Sequence, residues 1–248
     1  MTVLAVYCNK GGVGKTTTTV NLSYLNAQQG KNTLVVDLDP QGASSFYFRV
    51  KRKIKKKARY LKTANKSLSA SIKATDYENL DLLPADQTHR QLATVFNDLR
   101  TPRHHLSALL APFRDEYDTV IIDSPPTINL LAENIFFAAD HLLVPVIPTT
   151  LSYETHVQLF KFFADKKLDA SKILTFISMI DRRKGMHKEM EKVLAEQFPG
   201  VLPVAIPYSS VIEKMGYHRK PIAEYARSSR PAKLYRQLWD AIQTVVSA

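Results

Sequence analysis

Three short stretches hold residues whose types and spacing could do chemistry. Residues 8–16 read CNKGGVGKT. Gly11, Gly12 and Gly14 let the backbone approach a phosphate closely and turn its N–H groups inward, and a helix starting just beyond would add its positive end. Lys15 is then placed for the β- and γ-phosphates of a nucleotide and the Thr16 hydroxyl for Mg²⁺. Residues 35–42, VVDLDPQG, and 120–126, VIIDSPP, each end an apolar run in acid. They set Asp37, Asp39 and Asp123 at strand tips, where a carboxylate beside a phosphate loop holds Mg²⁺ through water. One position departs from the common loop. The glycine expected five places before the Gly-Lys pair is Asn9, followed at once by a second lysine, Lys10.

Positioning these stretches requires strands that end where the loops begin. Apolar runs rich in branched residues recur at 2–8, 33–37, 80–83, 119–123, 142–146, 173–179 and 202–206. They do not alternate with polar residues, which predicts strands buried on both faces. Helical patterns fall between them at 15–29, 88–99, 103–113, 128–139, 152–166, 187–198 and 231–246. Alternating strands and helices predict an α/β fold: a doubly wound, mostly parallel sheet of about seven strands with helices on both faces. Its loops at the strand carboxyl ends are the expected place for function. The 248 residues suit a single domain over 1–248.

Cys8 is the only cysteine. It excludes an intramolecular disulfide and a multi-cysteine cluster within one chain, and it reads as a buried strand residue. The longest apolar region, 130–148, is broken by Glu133, Asn134, Asp140 and His141, so no transmembrane segment is expected. The opening residues lack the charged flank of a signal peptide. A cytoplasmic protein is the expectation.

Taken in order, KGGVGKTTT, DLDPQG and the apolar run ending in DSPP resemble the ParA/MinD family of deviant-Walker ATPases. YENLDLLPAD (77–86) and the tail from IPYSS to KPIAEY resemble its ParA, Soj-like branch. The resemblance implies a P-loop ATPase with ATP and Mg²⁺ as cofactors, acting as a homodimer that sandwiches two nucleotides. It makes Lys10 a signature lysine that reaches the partner's phosphates, which would account for Asn9 and the extra charge. By the same resemblance Lys10, Gly11, Gly12, Val13, Gly14, Lys15, Thr16, Thr17 and, loosely, Pro207 form the nucleotide set. Asp39 activates or positions water beside Lys10 and Lys15, and Thr16, Asp37 and Asp123 form the metal set. The family also implies slow hydrolysis stimulated by a partner protein of the ParB or adaptor type, and the positioning of plasmid, chromosome or a protein cargo such as carboxysomes. The larger relatives' N-terminal helix-turn-helix is not expected, because the first strand begins at once.

The net charge of +11 suits a polyanionic partner. The resemblance implies nonspecific binding of double-stranded, nucleoid DNA through Arg183, with Lys214, Arg219, Lys220, Arg227 and Arg230 as neighbouring candidates. A second family arginine corresponds to about Val211, a departure from the pattern that removes that contact. The run KRKIKKKAR at 51–59 lies outside the family pattern and carries seven charges, without which +11 would fall to about +4. It reads as a solvated face, an added DNA strip or a membrane-surface patch. The alternative function is a MinD-like, membrane-associated regulator of cell division, which needs a basic amphipathic C-terminus. The last nine residues contain no Lys or Arg, and the chain's end reads instead as a packed helix. A nitrogenase-reductase-like electron donor would need two cysteines per chain.

Overall fold

In a computed structural model, which describes residues 1–51, 66–85, 87–97 and 103–247, the chain forms one eight-stranded sheet. In chain order the elements are β1 (Thr2–Val6), α1 (Lys15–Gln28), β2 (Thr33–Asp37), α2 (Ala43–Tyr47), α3 (Lys66–Ser69), β3 (Lys73–Ala74) and β4 (Leu80–Leu83). There follow α4 (Leu92–Asn97), α5 (His105–Leu110), β5 (Thr119–Asp123), α6 (Leu130–Ala138), β6 (His141–Val146), α7 (Thr150–Asp165), β7 (Ile173–Ile180) and α8 (Gly185–Gln197). The last are β8 (Val201–Pro207), α9 (Ser210–Glu213), α10 (Met215–His218), α11 (Ile222–Tyr225) and α12 (Arg230–Val246).

The strand order is β3-β4-β2-β5-β1-β6-β7-β8, parallel except for β3 against β4. All seven expected strands are present. The eighth, β3, is a two-residue exposed edge with no run of apolar residues to announce it. Successive residues serve opposite faces, as strand geometry demands. Val3, Ala5, Leu34, Val36, Val120 and Ile122 pack on one face, and Leu4, Val6, Val35 and Ile121 on the other.

The first face is covered by Phe96, Leu109, Ile135, Phe136, Phe163 and Leu194 from α4 to α8. The second is covered by α1 and α12, whose Tyr235, Leu238, Trp239 and Ile242 recur at helical spacing. The final helix is therefore packed, as expected. The expected helix at 103–113 ends as α5 at Leu110 and continues as a 3-10 turn, Ala111–Phe113. Pro112 supplies the reason, since it lacks the N–H that another turn of α-helix would need. The expected helix at 88–99 divides into a 3-10 turn, Gln87–Gln91, and α4.

The chain leaves β1 toward β2 on one side and, after β5, crosses to β6 on the other. That reversal creates the crevice where open α/β sheets take ligands. No helix of the described residues is long and apolar enough to cross a membrane. Of the basic run 51–59, only Lys51 lies within the described residues, and it is exposed.

Candidate nucleotide site

The loop between β1 and α1 turns through two left-handed glycines, Gly12 at φ 72° and Gly14 at φ 94°. Gly14 is also the residue before α1, and no side chain caps that helix. Uncapped N–H groups at a helix start attract an anion. From across the sheet, Ser178 Oγ donates to Val13 O at 2.8 Å and pins the loop. Ser178 sits where the β7–β8 register shifts between Ile177 and Ile180, and its neighbour Met179 is itself left-handed at φ 54°.

Lys15 is buried, and its Nζ donates to Lys10 O at 2.8 Å. Burial lowers its pKa, while charges at Cys8, Asp123 and Asp39 oppose that shift. Lys10 Nζ donates to Ser152 Oγ at 3.3 Å, at the start of α7. Cys8 is buried, as the sequence suggested.

Asp37 and Asp123 are direct register partners at the ends of β2 and β5, and both are fully buried. Ser45 donates to Asp37 Oδ2 from its Oγ at 2.8 Å and its N at 3.0 Å. Ser44 Oγ donates to Asp123 Oδ2 at 2.7 Å. Burial pushes the Asp123 carboxyl up to about 6; hydrogen bonds from Ser44 and Thr16 hold it lower, and the Asp39 charge raises it. Asp37 is raised well above the usual carboxylate range by burial and by its neighbour Asp123. The Oδ1 atom of each has no hydrogen-bond partner among the described residues.

Buried charge without a partner is costly. Two such oxygens side by side, at the foot of a phosphate loop and within reach of Thr16, fit a hydrated divalent cation. Asp39 lies two residues beyond β2, half-exposed, and accepts from Gln41 N at 2.9 Å. Its charge is felt at Lys15, Asp37 and Asp123, so all four belong to one electrostatic neighbourhood.

The remaining expected residues are more scattered. Pro207 ends β8 opposite Ile180, on the same carboxyl edge. Arg183 is exposed in the turn after β7 and forms a two-point pair with Asp181, at 2.9 and 2.8 Å. Lys214 is exposed, while Lys220 is half-buried. Arg219 donates to Phe46 O at 3.0 Å. Arg230 begins α12 and is exposed. Arg227 instead lines a polar groove with Gln28 and Gln29, at the end of α1 remote from the phosphate loop. Ser44, Ser45 and Ser178 carry no signal in the sequence, because serines without a motif have no diagnostic spacing.

A family model described as "AAA domain" matches residues 1–176. The sporulation initiation inhibitor protein Soj of Bacillus subtilis is 31% identical over 250 residues, covering 95% of this chain and 96% of that protein. The chromosome partitioning protein ParA of Myxococcus xanthus is 31% identical over 246 residues, covering 95% and 86%. Among solved structures, a cobyrinic acid a,c-diamide synthase of Mycobacterium smegmatis with bound ADP and magnesium superposes with a TM-score of 0.82. It is 27% identical and covers 100% of this chain and 96% of its own.

Proposed function

The chain belongs to the AAA domain family and, within it, to the ParA and Soj group of P-loop ATPase-type proteins, and from that premise we propose a nucleotide-timed positioning switch. In this reading it binds ATP with Mg²⁺, dimerises on the nucleotide, and holds nonspecific nucleoid DNA as the dimer. It lets go after slow hydrolysis stimulated by a cargo-bound partner of the ParB or adaptor type. The observation that carries the reading is the pairing of Asp37 with Asp123, each with an unsatisfied Oδ1, beside Lys15 and Thr16.

The roles follow from place. The N–H groups at the start of α1 and the Lys15 ammonium receive the β- and γ-phosphates. Thr16, Asp37 and Asp123 hold Mg²⁺, which supplies charge neutralisation on the phosphate oxygens when bound. Asp39, half-exposed and reached from solvent, orients the attacking water and takes up its proton. Lys10 sits half-buried on the same edge, on a hydroxyl that a stronger anionic partner can displace, which suits a reach toward the second subunit's nucleotide. Packing of α12 against the sheet supports this reading over a membrane-bound regulator.

Light scattering with Mg²⁺ and ATP tests the cycle. Lys10→Ala is expected to stay monomeric while binding ATP, and Asp39→Ala to accumulate as dimer. Equal dimerisation of the two variants contradicts the trans role of Lys10.

A further inference from the structure

Four consecutive residues of α2 reach four different parts of the molecule. Ser44 holds Asp123 and Ser45 holds Asp37, as described above. Phe46 O accepts from Arg219 Nε, and the guanidinium lies 4.5 Å from the centre of the Phe46 ring. The Tyr47 hydroxyl lies within electrostatic reach of Thr17 at the start of α1. Ser44 and Ser45 are fully buried, whereas Phe46 is 47% exposed, so the helix joins the buried carboxylates to the surface.

A helix of five residues cannot hold itself in place, because one turn gains too few hydrogen bonds to offset its nucleation. Its position is set by these ties and by Phe48, which closes the helix and is buried in the core. The carboxylates on one side repel each other unless a proton or a cation offsets one of the charges, and Arg219 on the other side belongs to the basic stretch 214–220. The stretch has a second, fixed anchor. Buried Asn21 of α1 accepts from Ile222 N at 2.9 Å and donates to Met215 Sδ at 3.3 Å. Arg219 itself closes α10 in the left-handed conformation at φ 49°, a place usually given to glycine, so this turn is held rather than relaxed.

We propose that α2 is the coupling element of the switch: Ser44 and Ser45 are positioning residues for the metal-binding carboxylates, and through Phe46 the same helix sets the position of Arg219. The proposal deepens the reading above and rests on it. When the repulsion between Asp37 and Asp123 is neutralised, their hydrogen-bonded serines follow, and the grip on Arg219 changes with them. The coupling is reciprocal, so DNA that engages Arg219 strengthens Mg²⁺–ATP binding by the same factor.

The test compares the full-length wild type with Phe46→Ala, Ser44→Ala and Ser45→Ala. Amide hydrogen exchange at 214–220 is measured without and with Mg²⁺–ATP, and affinity for a nonspecific duplex under the same conditions. In the wild type, Mg²⁺–ATP is expected to change exchange at 214–220. Phe46→Ala removes the ring under the guanidinium and keeps the carbonyl that Arg219 holds, so there the response is diminished, ATP affinity without DNA is retained, and the ATP-dependent gain in duplex affinity falls at least about fivefold. The serine variants should weaken the Mg²⁺ dependence of nucleotide binding about tenfold or more, as loss of a partner to a metal ligand does. Exchange at 214–220 that ignores Mg²⁺–ATP in the wild type, or responds equally in Phe46→Ala, overturns the proposal. A wild type whose exchange responds but whose duplex affinity does not would defeat the DNA reading and leave the relay standing.

Discussion

The carboxyl edge around Asp37 and Asp123 and the basic stretch from Asp181 to Arg230 hold charge in opposite ways. At the edge, Lys15, Asp37 and Asp123 are buried, and their pKa values are displaced chiefly by loss of water. Along the basic stretch, Arg183 has a 90% exposed side chain and its nearest partner is two residues away. Buried charges interact strongly and cannot be exchanged one for another. Exposed charges are screened within about 8 Å at physiological salt, and several can share one task. The first region is therefore expected to fail completely when one residue changes, and the second by small steps.

The largest effect is expected from Lys15→Ala. Truncating a buried charged partner of a bound phosphate costs about 2–5 kcal/mol, so ATP affinity should fall at least about thirtyfold in a fluorescent-nucleotide titration. Retained affinity and turnover would remove the nucleotide edge from the comparison.

Asp123→Asn separates the cost of the edge from its use. The folded Asp123 pKa of about 6 lies above the usual value near 3.9, so the native state binds its proton more tightly than the unfolded state between those pH values. Stability from this group falls as pH rises from about 4 to about 6 and stays low above it. The Asn variant without nucleotide should accordingly be more stable than wild type at pH 8, by about 1–3 kcal/mol, and no more stable below pH 4. For a chain of this size that is about 2–12 °C in melting temperature. Mg²⁺-dependent nucleotide binding should weaken in the variant, and in wild type it should rise with pH through about 6. Equal melting temperatures for both proteins at pH 8 would show that burial of the pair carries no cost.

Gly14→Ala probes the loop's backbone. The left-handed φ of 94° disfavours any side chain, and an added Cβ would meet Ser178 Oγ at 3.2 Å, the hydroxyl that pins the loop. A destabilisation of about 1–3 kcal/mol is expected in thermal unfolding, with weaker ATP binding. A neutral substitution would mean that the loop tolerates a different turn.

Much of the edge was legible in sequence because its parts are contiguous or lie at strand tips. Unalternated runs such as TVIID marked strands buried on both faces, and the motif glycines marked the loop. The parts that sequence did not reveal depend on long-range proximity. Ser178 reaches Val13 across 165 positions, and only the position of β7 brings them together. The helices of four or five residues, α2, α3, α9, α10 and α11, are too short to repeat a 3.6-residue period, so nothing periodic announced them. The same shortness hid the place where α2 joins the two regions. Apart from Arg183, which rests on the family resemblance, the basic candidates rest on charge and position in the tail, and these do not show that Arg219 is bound to Phe46 or that Arg227 lies at the far end of α1.

The smallest expected effect lies in the exposed region and concerns Arg183. Its guanidinium gives two hydrogen bonds to Asp181, whose carboxyl is held well below the usual range chiefly by those bonds. A phosphate approaching Arg183 must compete with that pair, so the free protein presents less positive potential there than its sequence suggests. Arg183→Ala should weaken duplex binding and reduce the slope of log affinity against log salt by about 1 per subunit, near 2 for a dimer. Asp181→Asn should act in the opposite direction, releasing the arginine and removing a negative charge from the surface, with tighter duplex binding at low salt. Neither change should alter ATP affinity, because neither residue belongs to the buried edge. Duplex affinity measured with ATP at several salt concentrations decides the matter. If Asp181→Asn and Arg183→Ala both weaken binding, the pair works as a unit that shapes the turn, and Arg183 is not a separate phosphate contact. If neither moves the slope, the DNA surface lies among the residues from Lys214 to Arg230.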